Sequence, residues 1–133
     1  MEITYKINQK ITVEDAIDLY KRTTLGERRP VNHPEIFQQM LDNANLTITA
    51  WDNDKLVGIS RTLTDFGYVA YLADLAVDEA YQKKGIGKKM VELTEDNIGK
   101  TAFITLLAAP NAQDYYPKIG FETHPRAWIK RKG

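Results

Sequence analysis

The first third of the chain shows one strand pattern followed by two helix patterns. Apolar and polar residues alternate over residues 2–7 (EITYKI), as in a strand with one buried face. The next segment, TVEDAIDLYKR, has apolar residues at helical spacing, and Thr12 with Asp15 three positions later is typical of a helix start. After a loop rich in Gly, Pro and Arg, Pro34 suits the first turn of a second helix over residues 34–44. The pattern thus predicts a strand and two helices.

The middle of the chain has the pattern of an antiparallel meander. LTITAW and KLVGISRTL are apolar strand segments joined by the turn sequence DNDK. DFG at residues 65–67 then turns the second segment into a third, YVAYLADLAV. Helical spacing returns over residues 85–98, with Gly99 as a stop signal. Three consecutive strands and a third helix are predicted here.

The last third predicts two more strands around a short helix. AFITLLAA (residues 102–109) has the pattern of a buried strand. PNAQDYYPKIGF is a short helix or turn closed by Gly120, and RAWIKRK (residues 126–132) is an edge-like strand with a basic tail. The predicted order is β-α-α-β-β-β-α-β-α-β, an α+β fold with a mixed, mostly antiparallel central sheet flanked by helices. The length of 133 residues predicts a single domain over residues 1–133.

Composition and charge exclude several classes of function. The chain has 18 basic and 18 acidic side chains, so its net charge gives no reason to expect a nucleic acid or an anionic membrane as partner. It has no cysteine, which excludes disulfides, thiolate zinc sites and a cysteine nucleophile. Its two histidines, His33 and His124, each precede a proline far apart in sequence, so no metal site is expected. No apolar segment approaches membrane-spanning length, and a cytoplasmic location is expected.

The segment YQKKGIGKKM (residues 81–90) has the features of an anion-binding loop. It follows an apolar strand and leads into a helix, whose first backbone N–H groups have no intrahelical acceptors. Gly85 and Gly87 would let a phosphate approach the backbone, and the helix dipole adds partial positive charge. The segment is neither a P-loop, since Lys88 precedes Lys89 rather than Ser or Thr, nor a dinucleotide fingerprint, since Met90 occupies the third small position. A diphosphate ligand of another class is predicted.

Two linked motifs give the chain its resemblance to the GCN5-related N-acetyltransferase (GNAT) family. The first has the form Q/R-x-x-G-x-G/A at a strand-to-helix junction, here formed by Gln82, Lys83, Lys84, Gly85, Ile86 and Gly87. The second is NAQDYYPKIGF, which resembles the family segment that follows the next strand. The resemblance is dense over residues 71–121, and the predicted order of elements fits it. It implies the GNAT fold and acetyl-CoA as cosubstrate, without a metal.

The resemblance also implies roles for individual residues. The backbone of Leu75, Ala76 and Val77 would pair with the pantetheine arm of acetyl-CoA as a missing strand would. Amides from Lys83 to Lys88 would hold the pyrophosphate, and the Asn111 side chain would bind near the pantetheine. An N–H group near Val77 would polarise the thioester carbonyl.

Tyr116 and Asp74 are the catalytic residues that the resemblance implies. Tyr116 matches the tyrosine that gives its proton to the departing CoA sulfur. The acceptor amine must lose a proton before it can attack, and Asp74 is the expected base, directly or through water. For each residue an ordinary structural role is the alternative, since core tyrosines and ion-paired strand carboxylates are common.

The function expected from the resemblance is acetyl transfer to a primary amine by direct attack in a ternary complex. The acceptor is a small molecule or a peptide, and the protein is a monomer or a homodimer. Its acceptor pocket would include the loop around residues 22–35, where Arg22, Arg28 and Arg29 either favour an acceptor with a carboxylate or phosphate or are ordinary surface residues. Two alternatives are a noncatalytic acyl-CoA sensor and an interaction protein whose lysines dock an acidic partner.

Overall fold

The computed structural model describes residues 2–133 and contains one mixed sheet with helices on both faces. The five strands are β1 (Thr4–Ile7), β2 (Leu46–Asp52), β3 (Lys55–Thr64), β4 (Val69–Val77) and β5 (Phe103–Thr105). They lie in the order β1-β2-β3-β4-β5. The first three pairings are antiparallel, and β5 runs parallel to β4. This α+β architecture confirms the predicted fold class.

Three α-helices form where the sequence pattern predicts them. They are α1 (Val13–Lys21), α2 (Pro34–Asn43) and α3 (Ile86–Asp96). The side chain of Thr12 accepts a hydrogen bond from the backbone N–H of Asp15 and so caps α1. Between α1 and α2 lies a short 3₁₀ helix, Thr24–Arg28. Within residues 2–133 no helix has the length and apolar character needed to cross a membrane.

Two hydrophobic clusters fix the helices to opposite faces of the sheet. On one face, residues of α1 and α2 such as Leu19, Tyr20 and Phe37 pack with Ile59 and Ala76. On the other face, α3 residues Ile86 and Met90 pack with Leu46, Ile48, Ala50 and Val57 of the sheet. The alternation of side chains along each strand produces this division. Strand β3 is therefore covered on both faces over most of its length, whereas Val69 and Tyr71 at the start of β4 stay exposed.

At the end of the chain the sequence prediction was wrong about the strands. The predicted buried strand over residues 102–109 is limited to the three residues of β5, and Phe103 is 50% exposed. The predicted short helix or turn closed by Gly120 is confirmed, since the segment contains the 3₁₀ helices Pro110–Ala112 and Tyr116–Ile119, and Gly120 is the left-handed C-cap of the second. The predicted strand over residues 126–132 does not form, and Trp128 is 94% exposed. The apolar pattern misled the prediction because the pairing of β5 with β4 ends after three residues, and residues 126–132 pair with no strand among residues 2–133.

Candidate functional site

The second half of β4 has an open edge. Strand β5 pairs with β4 only at Val69, Ala70 and Tyr71. From Leu72 to Val77, β4 is paired on its other edge alone, with β3. We call this open edge of residues 72–77 the β4 slot. Its unpaired backbone groups can accept an extended ligand in the place of a strand.

The β4 slot leads directly into a tethered loop. Asp78 accepts a hydrogen bond from the backbone N–H of Ala80 at 2.9 Å and forms an ion pair with Arg22. The hydroxyl of Tyr81 donates to the carboxylate of Asp52 at 2.6 Å. These contacts hold the start of the predicted diphosphate loop against the sheet and α1, so its backbone is fixed before any ligand binds.

The loop of residues 82–88, which we call the glycine loop, has the backbone conformation of an anion site. Lys83 and Gly85 both have positive φ values, 64° and 81°. Left-handed residues placed among right-handed ones turn successive N–H groups toward one side, which forms an anion-binding concavity. A side chain at Gly85 would meet no protein atom within 4 Å, so this side of the loop is open. The predicted diphosphate site thus has both the backbone shape and the space that it needs.

The start of α3 adds unpaired donors to the same place. Gly85 is the N-cap and no side chain caps the helix. The first turn contains no acidic residue, and the first helical bond that spans it is from Lys89 N–H to the Gly85 carbonyl at 3.0 Å. The N–H groups of Ile86, Gly87 and Lys88 therefore have no intrahelical acceptor and lie at the positive end of the helix dipole. Ile86 is buried, whereas Gln82 and the lysines of the loop are exposed.

Gly87 has a second reason to be glycine, which the sequence did not reveal. A Cβ at this position would lie 2.9 Å from the hydroxyl oxygen of Tyr115. The close approach brings the segment of residues 110–119 against the first turn of α3. The second sequence motif therefore lies beside the first, which the sequence alone did not show.

Tyr116 is half-buried within an aromatic group next to that contact. Its ring packs edge to face with the rings of Tyr115 and Phe121, at centroid distances of 5.4 and 5.5 Å. Burial, with a smaller contribution from Tyr115, raises the pKa of Tyr116 above its ordinary value. The side chain is consequently a neutral phenol at physiological pH, which is the form that a proton donor must have. Asn111 is exposed within Pro110–Ala112 and caps no helix.

Asp74 lies on the α1 and α2 face of the sheet, where it is fully enclosed by partners. One carboxylate oxygen accepts from Arg29 Nε at 2.5 Å, and the other from Arg61 Nε and the hydroxyl of Tyr20, both at 2.6 Å. The side chain of Asp74 is 0% exposed. We call these four residues the Asp74 cluster. It joins α1, the loop after it, β3 and β4 at one point.

The environment of Asp74 does not suit the base role that the sequence suggested. Burial by itself raises the pKa of this carboxyl, but the adjacent Arg61 and Arg29 guanidinium groups outweigh it, and the net pKa lies below the usual value. A lowered pKa makes the carboxylate a weaker proton acceptor. Both of its oxygens are already occupied by cationic or hydroxyl donors. The geometry therefore fits a structural ion pair, which was the alternative considered from sequence.

Sequence reasoning missed the partners of Asp74, although a signal was present. Arg61 is the only charged residue inside the strand segment KLVGISRTL after its exposed first residue, Lys55, and Asp74 is the only one in YVAYLADLAV. A charge inside a buried strand needs an opposite charge nearby, and in a meander the two are cross-strand candidates. The structure pairs them directly across β3 and β4. Arg29 and Tyr20 carried no comparable signal.

Among residues 2–133 no group of three metal-ligating side chains is present.

Comparisons of the sequence and of the structure with known proteins point to the same family. The model of the acetyltransferase (GNAT) domain matches residues 20–133. GCN5-related N-acetyltransferase 2, chloroplastic, from Arabidopsis thaliana is 37% identical over 76 residues, which is 53% of this chain and 28% of that protein. A GNAT-family acetyltransferase from Streptococcus pneumoniae superposes with a TM-score of 0.78 at 26% identity, covering 98% of this chain and 100% of the other.

A more distant structure has CoA bound to the same fold. Aminoglycoside N-acetyltransferase AAC(6')-Iy in complex with CoA superposes with a TM-score of 0.72 at 16% identity, covering 98% of this chain and 95% of the other. The present chain spans 28% to 33% of the length of the first three curated relatives that it matches. Its domain organisation, oligomeric state and cytoplasmic location therefore stay predictions.

Proposed function

The chain belongs to the GNAT acetyltransferase family, and we propose that it transfers the acetyl group of acetyl-CoA to a primary amine. The observation that carries the proposal is the continuity of the β4 slot with the glycine loop. An extended amide-bearing arm and a diphosphate are the two features of acetyl-CoA that such a surface matches. No other part of the described chain combines an open strand edge with a helix start of this kind.

In this proposal the backbone binds the cosubstrate. Leu75, Ala76 and Val77 pair with the amides of the pantetheine arm through the β4 slot. The N–H groups of the glycine loop and of the first turn of α3 hold the pyrophosphate. The exposed lysines of the loop add a favourable field, and Asn111 contacts the pantetheine region. Main-chain donors dominate because the loop is held by Asp78 and Tyr81 before the ligand arrives.

Acetyl transfer replaces the C–S bond of the thioester by a C–N bond and requires two proton transfers. The neutral amine attacks the thioester carbonyl carbon, the new C–N bond forms, and the C–S bond breaks. An N–H group near Val77 stabilises the negative charge that develops on the carbonyl oxygen. Tyr116 donates its proton to the departing sulfur, the amine nitrogen loses one proton to water, and water returns a proton to the Tyr116 phenolate. The raised pKa of Tyr116 keeps that proton in place at neutral pH until the sulfur takes it.

We further propose that Asp74 supports the site without taking the proton of the amine. Its carboxylate neutralises part of the charge of two partly buried guanidinium groups, and removing that neutralisation for a proton transfer would be costly. The acceptor amine then enters the reaction already neutral, so the rate should rise with pH towards the pKa of the amine.

Isothermal titration calorimetry with acetyl-CoA tests the binding half of the proposal. We expect saturable binding at micromolar ligand that Gly85→Glu abolishes, because the new carboxylate would occupy the open side of the loop and repel the pyrophosphate. Lys118→Gln, a charge change of equal size at an exposed residue outside the loop, is the matched control and should leave binding intact. An absence of binding at high micromolar acetyl-CoA would end the proposal.

The catalytic half is tested by free-thiol release with a panel of primary amines. Tyr116→Phe should lower kcat by about 100-fold, the lower range for losing a general acid, while the affinity for acetyl-CoA stays the same. Tyr115→Phe is the control, since it removes a neighbouring hydroxyl and keeps the ring. If the protein binds acetyl-CoA and Tyr116→Phe changes nothing, a noncatalytic acyl-CoA sensor becomes the better description.

A further inference from the structure

The Asp74 cluster contains more positive than negative charge. Arg29 and Arg61 share the single carboxylate of Asp74, and no second acidic side chain among residues 2–133 lies within ion-pair distance of either arginine. Tyr20 adds no charge, because burial, followed by the proximity of Asp74, raises its pKa well above the ordinary value. The cluster therefore carries a net charge of about +1 in a chain whose total charge is zero.

The guanidinium groups of the cluster are within reach of a ligand. The Arg29 side chain is 23% exposed and that of Arg61 is 11% exposed, whereas Asp74 is sealed. Arg61 donates through Nε to Asp74 and through Nη1 to the carbonyl of Met40. Its Nη2 group has no acceptor within the described residues. Arg29 is oriented by Asp74 through Nε, by the carbonyl of Ala73 at 2.8 Å from Nη2 and by the carbonyl of Arg28 at 2.9 Å from Nη1, which leaves one hydrogen on each Nη for a ligand. The cluster therefore combines excess positive charge, partial exposure and a spare donor on Arg61 with a fixed carboxylate.

The cluster also lies beside the place where acetyl transfer would occur. Asp74 precedes Ala76 by two residues in β4, which corresponds to about 7 Å along the strand. The cluster is on the face of α1 and α2, whereas the glycine loop leads into α3 on the opposite face. A cosubstrate held from the α3 side leaves the α1 and α2 side of the β4 slot for the second substrate.

From this arrangement we propose that the acceptor is a primary amine that also carries a carboxylate or phosphate group, which Arg29 and Arg61 bind. The inference rests on the proposed function and narrows its substrate class. The amine reaches the thioester in the β4 slot while the anionic group neutralises the excess charge of the cluster. Guanidinium groups suit this task because their paired donors match carboxylate and phosphate oxygens.

Matched acceptor pairs test the inference. With acetyl-CoA, kcat/KM is compared for 4-aminobutyrate against 4-aminobutyramide, and for phosphoethanolamine against ethanolamine. We expect at least one anionic amine to exceed its neutral counterpart by roughly tenfold or more, the value of a charged hydrogen bond. The pair that responds distinguishes carboxylate from phosphate. Equal kcat/KM values within both pairs would overturn the inference.

Variants then separate direct binding from a general effect of charge. Arg29→Gln leaves Asp74 paired one to one with Arg61, so the fold should persist, and the preference for the anionic amine should be lost. Arg29→Lys should keep part of it. Arg28→Gln removes the same charge from the exposed neighbouring residue, which forms no ion pair in the described chain, and should leave the preference unchanged. Equal losses in Arg28→Gln and Arg29→Gln would overturn direct recognition by the cluster.

A binding measurement keeps this test separate from that of acetyl transfer. The protein without cosubstrate is titrated by calorimetry with 4-acetamidobutyrate and with N-acetylphosphoethanolamine, the products of the two anionic amines, each against its neutral counterpart. For the responding pair we expect roughly tenfold tighter binding of the anionic product, lost in Arg29→Gln. If the protein does not bind acetyl-CoA but still prefers the anionic product, the proposed function is wrong and the anion site is retained. If the protein binds acetyl-CoA normally but shows no preference for the anionic product, the proposed function stands and the anion site is wrong.

Discussion

Replacing Asp74 by Asn tests whether the Asp74 cluster holds the fold together. The change keeps the size of the side chain but removes the charge that neutralises Arg29 and Arg61. It also replaces one acceptor oxygen by an NH₂ group, so a donor must face a donor at 2.5 or 2.6 Å. Losing one partner of a buried ion pair costs about 3–5 kcal/mol. We expect about 3 kcal/mol, the lower end, because both arginines reach solvent in part.

Urea unfolding followed by circular dichroism measures this loss. With a slope of about 2 kcal/mol per molar urea, the midpoint should fall by roughly 1.5 M at an unchanged slope. Asp18→Asn is the matched control, because Asp18 pairs with Arg22 at 3.3 Å but is 72% exposed. That pair should be worth about 0.5 kcal/mol or less. A loss below about 1 kcal/mol for Asp74→Asn would refute the reasoning.

The difference in free energy of unfolding between the wild type and Asp74→Asn should depend on pH, which gives an independent test. The folded pKa of Asp74 is lowered, so the carboxylate stabilises the fold fully above the ordinary pKa of about 3.9. Its contribution is lost as the pH falls through the lower, folded value. The gap between the wild type and Asp74→Asn should therefore be constant at neutral pH and should shrink below about pH 4. A gap that widens on acidification would contradict the ion-pair assignment.

Three further predictions concern the glycine loop, the proposed acid and the core. Gly87→Ala should destabilise the protein by about 1 kcal/mol in urea unfolding, because the new Cβ would lie 2.9 Å from the Tyr115 hydroxyl, its one contact that is too short. Adding Tyr115→Phe should recover much of this stability. An equal loss in the double variant would contradict this contact. At every pH below about 10, kcat should show no loss caused by ionisation of Tyr116, because its raised pKa keeps the phenol protonated. A loss of kcat near pH 8 that depends on Tyr116 would contradict the assignment. Thr62→Val should be neutral or stabilising by up to about 1 kcal/mol, because the buried Thr62 hydroxyl has no partner within residues 2–133, and a loss above about 1 kcal/mol would indicate a partner.

The sequence was informative wherever a structure is decided by its near neighbours. The Thr12 cap, the meander of β2 to β4 and the start of α3 at the glycine loop all depend on residues within a few positions of one another. Helix periodicity, turn sequences and the absence of a Cβ act at that range. The position of a diphosphate site could therefore be predicted without a fold, and the structure adds the positive φ at Lys83.

The structure decided whatever depends on pairing across the chain. Arg29 and Asp74 are 45 residues apart, and Tyr20 and Asp74 are 54 apart, so no local pattern joins them. Strand propensity alone predicted a strand over residues 126–132, which does not form because a strand needs a neighbour to pair with. Sequence by itself determined the helices and turns and the backbone shape of the glycine loop, since their interactions are local. Only tertiary packing decided that Asp74 is a buried ion pair, because burial and charge partners belong to the assembled fold.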